Sequence, residues 1–326
     1  MSKLKKLQKK AEYYKSALNS LKDYGGNSEL ARGIARIALR KPSDIFRKLR
    51  WKAVGSLGNV EYVELKFPKY TLLVDPNDQG IAAELAVDHV HEPFGTAILK
   101  SILRDDMTIV EIGANIGYFT LEEDTHVNVR LIVAIEPNPS SYELLSQNVC
   151  LNDAMANLYN VGISDTDGTL PFYISKHSNI CSITPRADYE KKIDVPVMKL
   201  DTLLDREKIE AVDLIRMDIE GHEINALRGM PETLAKHRPW LCLEYHTPII
   251  SPEDREFFIS TLEALDYELK CFTFRWSDYM IFGHNIADRN KVVMTGNLRE
   301  VLESIQNQVL LLFIAPRETV FELPAL

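Results

Sequence analysis

Two groups of residues in this sequence have the types and spacing of a reactive site. The first is VEIGANIG, residues 110–117, followed by Glu136 in LIVAIEP. There Glu111 ends an apolar run, and Gly113, Ala114 and Gly117 follow with Asn115 between them. Glycines permit a tight turn and a close backbone approach to a ligand, and the helix that begins beyond them points its positive end at the same place. The spacing is G-x-N-x-G, and the dinucleotide fingerprint G-x-G-x-x-G is absent. That favours an adenosyl ligand without a pyrophosphate, and S-adenosyl-L-methionine has this form. Asn115 adds a side chain for the amino-acid end of such a ligand, and Glu111 is expected to face its ammonium group. Glu136, with Pro137 beside it, ends the second apolar run about one helix later, where an acid accepts hydrogen bonds from both ribose hydroxyls. Gly162 and Ser164 in VGISD are expected to flank the adenine.

The second group is Asp218, Glu220, His222 and Glu223 in MDIEGHE, with Glu244 and His246 in LEYH. Both segments follow apolar runs, so a sheet would deliver them to the edge where its strands end and ligands bind. Transfer of a methyl group from a sulfonium is an in-line displacement: the nucleophile must be aligned, water excluded and, for an alcohol, a proton removed. Asp218, His222 and His246 are the candidates for catalysis. His222 also suits a helix entry, and Glu220 or Glu223 suits a helix cap. Asp218, Glu220, Glu244 and His246 are hard-ligand types, yet their spacing alone shows no metal, and none is assigned. His89 and His91 are expected on the surface, and Asp165 and Asp167 to make a turn at Gly168.

The elements that must hold these residues are short apolar runs at 108–110, 131–135, 157–161, 212–215 and 240–243, separated by helical stretches. Strands buried on both faces and alternating with helices predict a doubly wound, mainly parallel α/β sheet. The run at 309–314 is expected as a last edge strand beside one near 267–273, and 274–299 as a surface insertion. Ahead of the sheet, 60–74 predicts two strands joined near Pro68-Lys69, and 81–103 a helical stretch.

The chain has 326 residues and a net charge of −9. Residues 1–52 hold 15 Lys and Arg against 4 Asp and Glu, a surplus of 11 positive charges, which leaves −20 for the rest. Leu4, Leu7, Ala11, Tyr14, Leu18 and Leu21 put one apolar stripe on this lysine-rich leader. A basic amphipathic helix suits an anionic membrane surface, a coiled-coil seam or a solvated extension, whereas the acidic body argues against broad nucleic-acid binding. No run reaches the ~20 apolar residues of a membrane span, and no secretory signal is evident, so a cytoplasmic location is expected, with peripheral attachment at the inner membrane face through residues 1–52. Cys150, Cys181, Cys242 and Cys271 have no paired spacing and are expected as reduced thiols. Three segments follow: a basic helical extension at 1–58, a strand pair and helix at 59–104, and a Rossmann-like domain at 105–326.

VEIGANIGYFT, AIEPNPSSYELLSQNV, VGISDTDG, VPVMKLDTLL, VDLIRMDIEGHE and LCLEYH, in that order, resemble the motifs of FkbM-family methyltransferases. The resemblance implies a class I methyltransferase fold with an antiparallel last strand, S-adenosyl-L-methionine as donor, and methylation of a hydroxyl on a sugar, glycolipid or small metabolite. It makes Glu92 similar to the family's acidic position before the first core strand, so Glu92, Glu220 and Glu244 are expected to bind the acceptor. Residues 121–127 are more acidic than such a helix usually is, and the basic leader is not part of the family's core. Two other readings compete: a nicotinamide oxidoreductase with an aberrant loop, and a noncatalytic membrane or partner adaptor.

Overall fold

The computed structural model describes Trp51 and residues 61–324, except residue 79 and the segments 176–177, 186–188, 276–291 and 306–307. The basic leader, apart from Trp51, and the boundary at residue 58 lie outside the described residues. Among the described residues no helix is long and apolar enough to cross a membrane.

An antiparallel hairpin opens the described chain, β1 (Val63–Lys66) and β2 (Thr71–Val74). Two helices follow in place of the single stretch expected at 81–103: α1 (Ile81–Asp88) and α2 (Pro93–Ile102). The helix breaks because His89 and Glu92 take left-handed conformations, with φ of 55° and 47°. The core alternates β3 (Thr108–Ile112), α3 (Tyr118–His126), β4 (Leu131–Ile135), α4 (Pro139–Asn152) and β5 (Ala156–Tyr159). A small sheet then forms from β6 (Gly162–Ile163), β7 (Gly168–Ile174) and β8 (Lys191–Met198), in the order β6-β8-β7. The run expected at 157–161 is therefore split: Tyr159 ends the main-sheet strand, and Gly162 enters the small sheet. The chain returns through α5 (Leu200–Arg206), β9 (Leu214–Met217), α6 (Glu223–Arg228), α7 (Pro231–His237), β10 (Trp240–His246) and α8 (Pro252–Ala264). It closes with β11 (Tyr267–Phe274), β12 (Val292–Met294), α9 (Leu298–Ser304) and β13 (Val309–Pro316).

The eight-stranded sheet has the order β12-β11-β13-β10-β9-β3-β4-β5. Strands β10, β9, β3, β4 and β5 pair in parallel, whereas β13 is antiparallel to both β10 and β11. This is the expected doubly wound class I arrangement with its antiparallel last strand, corrected in one respect. β13 is an inner strand: seven of its eight residues are buried, and apolar side chains on both faces need cover from a strand on each side. The edge belongs to β12, which falls within the segment expected to be an insertion.

The sheet separates two apolar clusters. One carries Ile109, Ile132 and Leu214 together with the hairpin's Leu65, Leu72 and Val74, so residues 61–103 share a core with the sheet. The other carries Val110, Val133, Ile215 and Leu243. Buried Asn148 joins the hairpin to α4, because its Oδ1 accepts from Leu73 N (2.6 Å) and its Nδ2 donates to Leu73 O (3.0 Å) and Ile116 O (2.8 Å). One turn later Asn152 treats Thr71 the same way, accepting from its N (2.9 Å) and donating to its O (2.7 Å). The two amides act as a side-chain edge strand for β2 and support the loop that contains Ile116. Asn148→Leu removes three hydrogen bonds worth about 1 kcal/mol each and leaves backbone groups unpaired, so it is expected to lower unfolding free energy by about 2–4 kcal/mol. A urea titration reads this as a lower midpoint, and an unchanged midpoint would refute the clamp.

Candidate active site

The loop after β3 is forced into its shape by its neighbours. Gly113, Asn115 and Gly117 all have positive φ, at 88°, 50° and 86°. The Gly113 and Ala114 amides both donate to Ile135 O (2.9 and 3.0 Å), which folds the chain back toward β4. A Cβ on Gly113 would lie 2.1 Å from Asp218 O, so no other residue fits without moving the backbone. Gly117 faces away from the ligand side: it precedes α3 and packs against Leu145.

Glu136 sits at the end of β4 with its carboxylate held by the backbone. Oε2 accepts from Asn115 N and Oε1 from Asn138 N, each at 2.8 Å. Burial pushes this carboxyl up to about 7, although the two amide bonds pull the other way. Asn160 Nδ2 donates to Glu136 O (2.8 Å) and fixes the turn that follows. Gly113, Ala114, Asn115, Glu136, Pro137 and Gly162 line one cavity at the carboxyl ends of the strands, whose empty space is about 790 Å³ including the part open to solvent. The small sheet covers one side of it with Phe172, Cys181, Ser182 and Ile183.

Glu111 and Ser164 stand behind this lining. The Glu111 carboxylate accepts from Thr120 Oγ1 (2.5 Å) and Arg216 Nη1 (3.2 Å), so its charge is met from within the protein. Burial pushes Glu111 up to about 7, against the pull of Arg216 and Thr120. Ser164 is buried with its Oγ 2.9 Å from Nε2 of His222, and His222 does line the cavity. Burial lowers the pKa of His222, so the ring is neutral around pH 7. His222 also occupies the N-cap position of α6, as the helix-entry reading anticipates, with no side-chain capping bond.

The remaining candidates converge below the carboxyl ends of β9 and β10. Asp218 and Glu220 line the large cavity, while Glu92, Asp218 and Glu244 line a smaller one beside it. Arg275 pairs with both Glu92 and Glu244. His246 lines neither cavity: Nδ1 lies 3.1 Å from Glu223, and Nε2 lies 3.4 Å from both Glu220 and Glu244. Burial disfavours a charged ring, but Glu223, Glu220 and Glu244 outweigh it and raise His246 well above the usual value, so it is an imidazolium near pH 7. Burial raises Glu244 well above the carboxylate range. Burial works in the same sense on Asp218. There the hydrogen bond from Glu244 and the charges of Arg275, Arg216 and His246 prevail and keep it below that range. The two carboxyls are thus shifted in opposite directions, Glu244 upward and Asp218 downward.

Two sets of ligand atoms, from Glu220, Glu244 and His246 and from Glu92, Asp218 and Glu244, lie within 4.8 Å of one another and have the chemistry to hold a cation. In each the protein supplies a cation of its own, the His246 imidazolium in the first and the Arg275 guanidinium in the second.

His91 corrects a surface expectation. It is buried, lines the large cavity and lies 3.1 Å from Glu84, whereas His89 is exposed. Asp167 stabilises its turn by accepting from Lys199 N (2.8 Å). All four cysteines are free, with Cys242 and Cys271 buried, Cys181 half-buried and Cys150 exposed. The acidic stretch of α3 is explained by its partners. Glu122 pairs with Lys100 and accepts from Tyr70 Oη, and Asp124 accepts from Met155 N (3.0 Å). Glu123 is buried beside Glu111, and that burial raises its pKa well above the usual range. Sequence reasoning passed over Arg216 and Arg275. A lone arginine two residues before Asp218 in an apolar strand was a visible signal, but Arg275 lies at the end of β11, where no local pattern marks it.

The FkbM methyltransferase domain model matches residues 111–269, from the donor loop to β11. Methyltransferase sdnD of Sordaria araneosa is 28% identical over 204 residues, covering 53% of this chain and 76% of that protein. Hexuronic acid methyltransferase AglP of Haloferax volcanii is 25% identical over 185 residues, covering 54% and 74%. The crystal structure of Methyltransferase FkbM from Methylobacillus flagellatus superposes with a TM-score of 0.42 at 17% identity, covering 83% of this chain and 60% of that one. With the glycine loop, the strand-end acid and the antiparallel last strand all in place, this chain is an S-adenosylmethionine-dependent methyltransferase whose residues 111–269 match the FkbM methyltransferase domain.

Proposed function

We propose that the protein transfers a methyl group from S-adenosylmethionine to a hydroxyl oxygen of a sugar, glycolipid or small metabolite, with Asp218 taking the hydroxyl proton. The observation that carries this reading is the position of Asp218: its carboxylate lines both cavities and is held in the charged form by Glu244 and its cationic neighbours. The names of two relatives each fit part of this reading: a sugar-acid acceptor for the hexuronic acid methyltransferase of Haloferax volcanii, and an oxygen acceptor for 2-O-methyltransferase NoeI of Sinorhizobium fredii, 26% identical over 162 residues.

The cavity suits the donor. Asn115 Oδ1 is a buried acceptor that no donor of the described residues reaches, and it waits for a ligand N–H or O–H. Glu136 presents a carboxylate for the two ribose hydroxyls, with Gly113 and Ala114 shaping the approach, Pro137 and Gly162 forming the adenine side, and Gly117 and Ser164 supporting them from behind. Glu111 serves by holding Arg216 and Thr120 in place. Bound S-adenosylmethionine supplies a sulfonium methyl that passes in line to the nucleophile.

Around the acceptor, Glu92 and Glu244 line the smaller cavity, and Glu220 borders the larger one close to Asp218. His246 is already protonated, so it orients Glu220 and Glu244 and does not remove a proton. Neutral His222 has its Nε2 bonded to Ser164 and acts as a wall of the donor cavity. Asp218 is the carboxylate that lines both cavities and has its pKa lowered.

In a donor-label transfer assay against cell extract separated into lipids, glycans, small metabolites, protein and RNA, label is expected in a glycan, lipid or small-metabolite fraction. Label confined to protein or RNA would refute the acceptor class. Asp218→Asn is expected to slow single-turnover transfer by about 10²–10⁴-fold, with affinity for S-adenosylhomocysteine within about threefold of the wild type. A rate within about twofold of the wild type would remove Asp218 from this role.

Donor affinity is also expected to depend on pH. Ribose hydroxyls donate to the ionised form of Glu136, and burial holds that carboxyl near 7 in the free protein. Binding of S-adenosylhomocysteine should therefore weaken as pH falls through about 7, by up to about tenfold per unit, and level off above it. Calorimetry on Glu136→Gln should show weaker binding and lose this slope. An identical slope in the variant would assign the titration to another group.

A further inference from the structure

Besides meeting the charges of Glu111 and Asp218, Arg216 is the one guanidinium or ammonium group among the described residues that line the large cavity. It stands in the middle of β9 on the face that carries Glu111. Its guanidinium carbon lies 3.5 Å from the centroid of the Phe119 ring, and its Nη1 donates to Glu111 Oε1 at 3.2 Å. The stack and the hydrogen bond fix the plane and direction of the group. A guanidinium has five N–H donors, and the bond to Glu111 uses one of them. Among the described residues the others meet no hydrogen-bond acceptor, although the side chain is nearly buried. Unused donors of a buried, oriented cation facing a cavity call for a ligand anion that can accept two bonds at once, and a carboxylate has that geometry.

The neighbours place this anion at the amino-acid end of the donor. Phe119 stacks on Arg216 and Asp218 feels its charge, and both Arg216 and Asp218 belong to the β9 side of β3, whereas the ribose acceptor Glu136 ends β4 on the other side of β3. We propose that Arg216 binds the carboxylate of S-adenosylmethionine and makes the site selective for donors that carry one. Glu111 and Phe119 are positioning residues for it: Glu111 holds one edge of the guanidinium, and the Phe119 ring covers one face. Glu111 thus serves the amino-acid end through Arg216, and the ammonium is left to Asn115 Oδ1.

The inference rests on the donor-site reading, and the test separates the two. Calorimetry compares S-adenosylhomocysteine with its decarboxylated analogue, which keeps the adenosine, the sulfur and the amine. The wild type is expected to prefer the carboxylate-bearing ligand by about ten- to a hundredfold, the scale of a charge-assisted bidentate contact. Arg216→Met is expected to lose this preference while binding the decarboxylated analogue within about threefold of the wild type. The double variant Glu111→Gln/Arg216→Met gives the same comparison without an unpaired buried carboxylate, which keeps the test open if the single variant folds poorly. Glu111→Gln alone should retain the preference. Variants lacking Arg216 that keep the wild-type preference, or that weaken both ligands equally, would overturn the proposal. A wild-type protein that binds neither ligand would overturn the donor site itself and this assignment with it.

Discussion

The close passage of the backbone after β3 against the backbone after β9 governs the rest of the site. Asp218 N donates to Ile112 O at 3.1 Å, and the next residue of the first strand, Gly113, comes so near Asp218 O that a methyl group could not fit between them. From this point the two chains diverge, the Gly113 loop toward β4 and the Asp218 segment toward α6. The crevice opens where the strand order reverses, and ligands in doubly wound sheets bind at such a place. One missing Cβ therefore sets the distance between the glycine loop and the Asp218 segment.

Beneath this crevice lies an unusual density of acids. Glu92, Glu111, Glu123, Glu223 and Glu244 are all buried, with Asp218 and Glu220 next to them. Buried charges of one sign are costly unless each is paired or neutralised. The protein uses both solutions. Arg216, Arg275 and His246 supply positive charge, while Glu123 and Glu244 are driven toward their neutral forms by burial. The outcome is asymmetric, because Asp218, which lines both cavities, is the acid of this group whose pKa is lowered.

The cover over the donor cavity depends on residues from before the sheet. Asp78 accepts from Gly80 N (3.0 Å) and Ala82 N (2.9 Å) at the start of α1, and also from Ser178 N (2.9 Å) and Ser178 Oγ (3.0 Å) in the segment between β7 and β8. Ser182 Oγ then donates to Glu220 O (3.0 Å), which ties the same segment to the acceptor side. Together with the grip of Asn148 on Leu73, these bonds make the hairpin, α1 and the small sheet a frame around the crevice. The cavity wall is thus assembled from chain positions about a hundred residues apart.

Much of this was legible in the order of the residues. Short apolar runs separated by helical stretches specify a parallel sheet, because strands buried on both faces need helices to cover them. Glycines at 113 and 117 announce a tight turn after β3, because few other residue types can occupy those conformations. What only the tertiary structure decided are the properties that depend on neighbours far away in sequence. The place of β13 inside the sheet depends on β10 and β11 flanking it, and the burial of His91 on a helix break that turns it inward. The protonation of His246, Glu244 and Asp218 depends on Arg275 and on five acids brought from the segment after β9, α6, β10 and the break before α2. A pKa is set by burial and by charges within a few ångströms, and a strand-end residue carries no local record of which charges the fold will bring beside it.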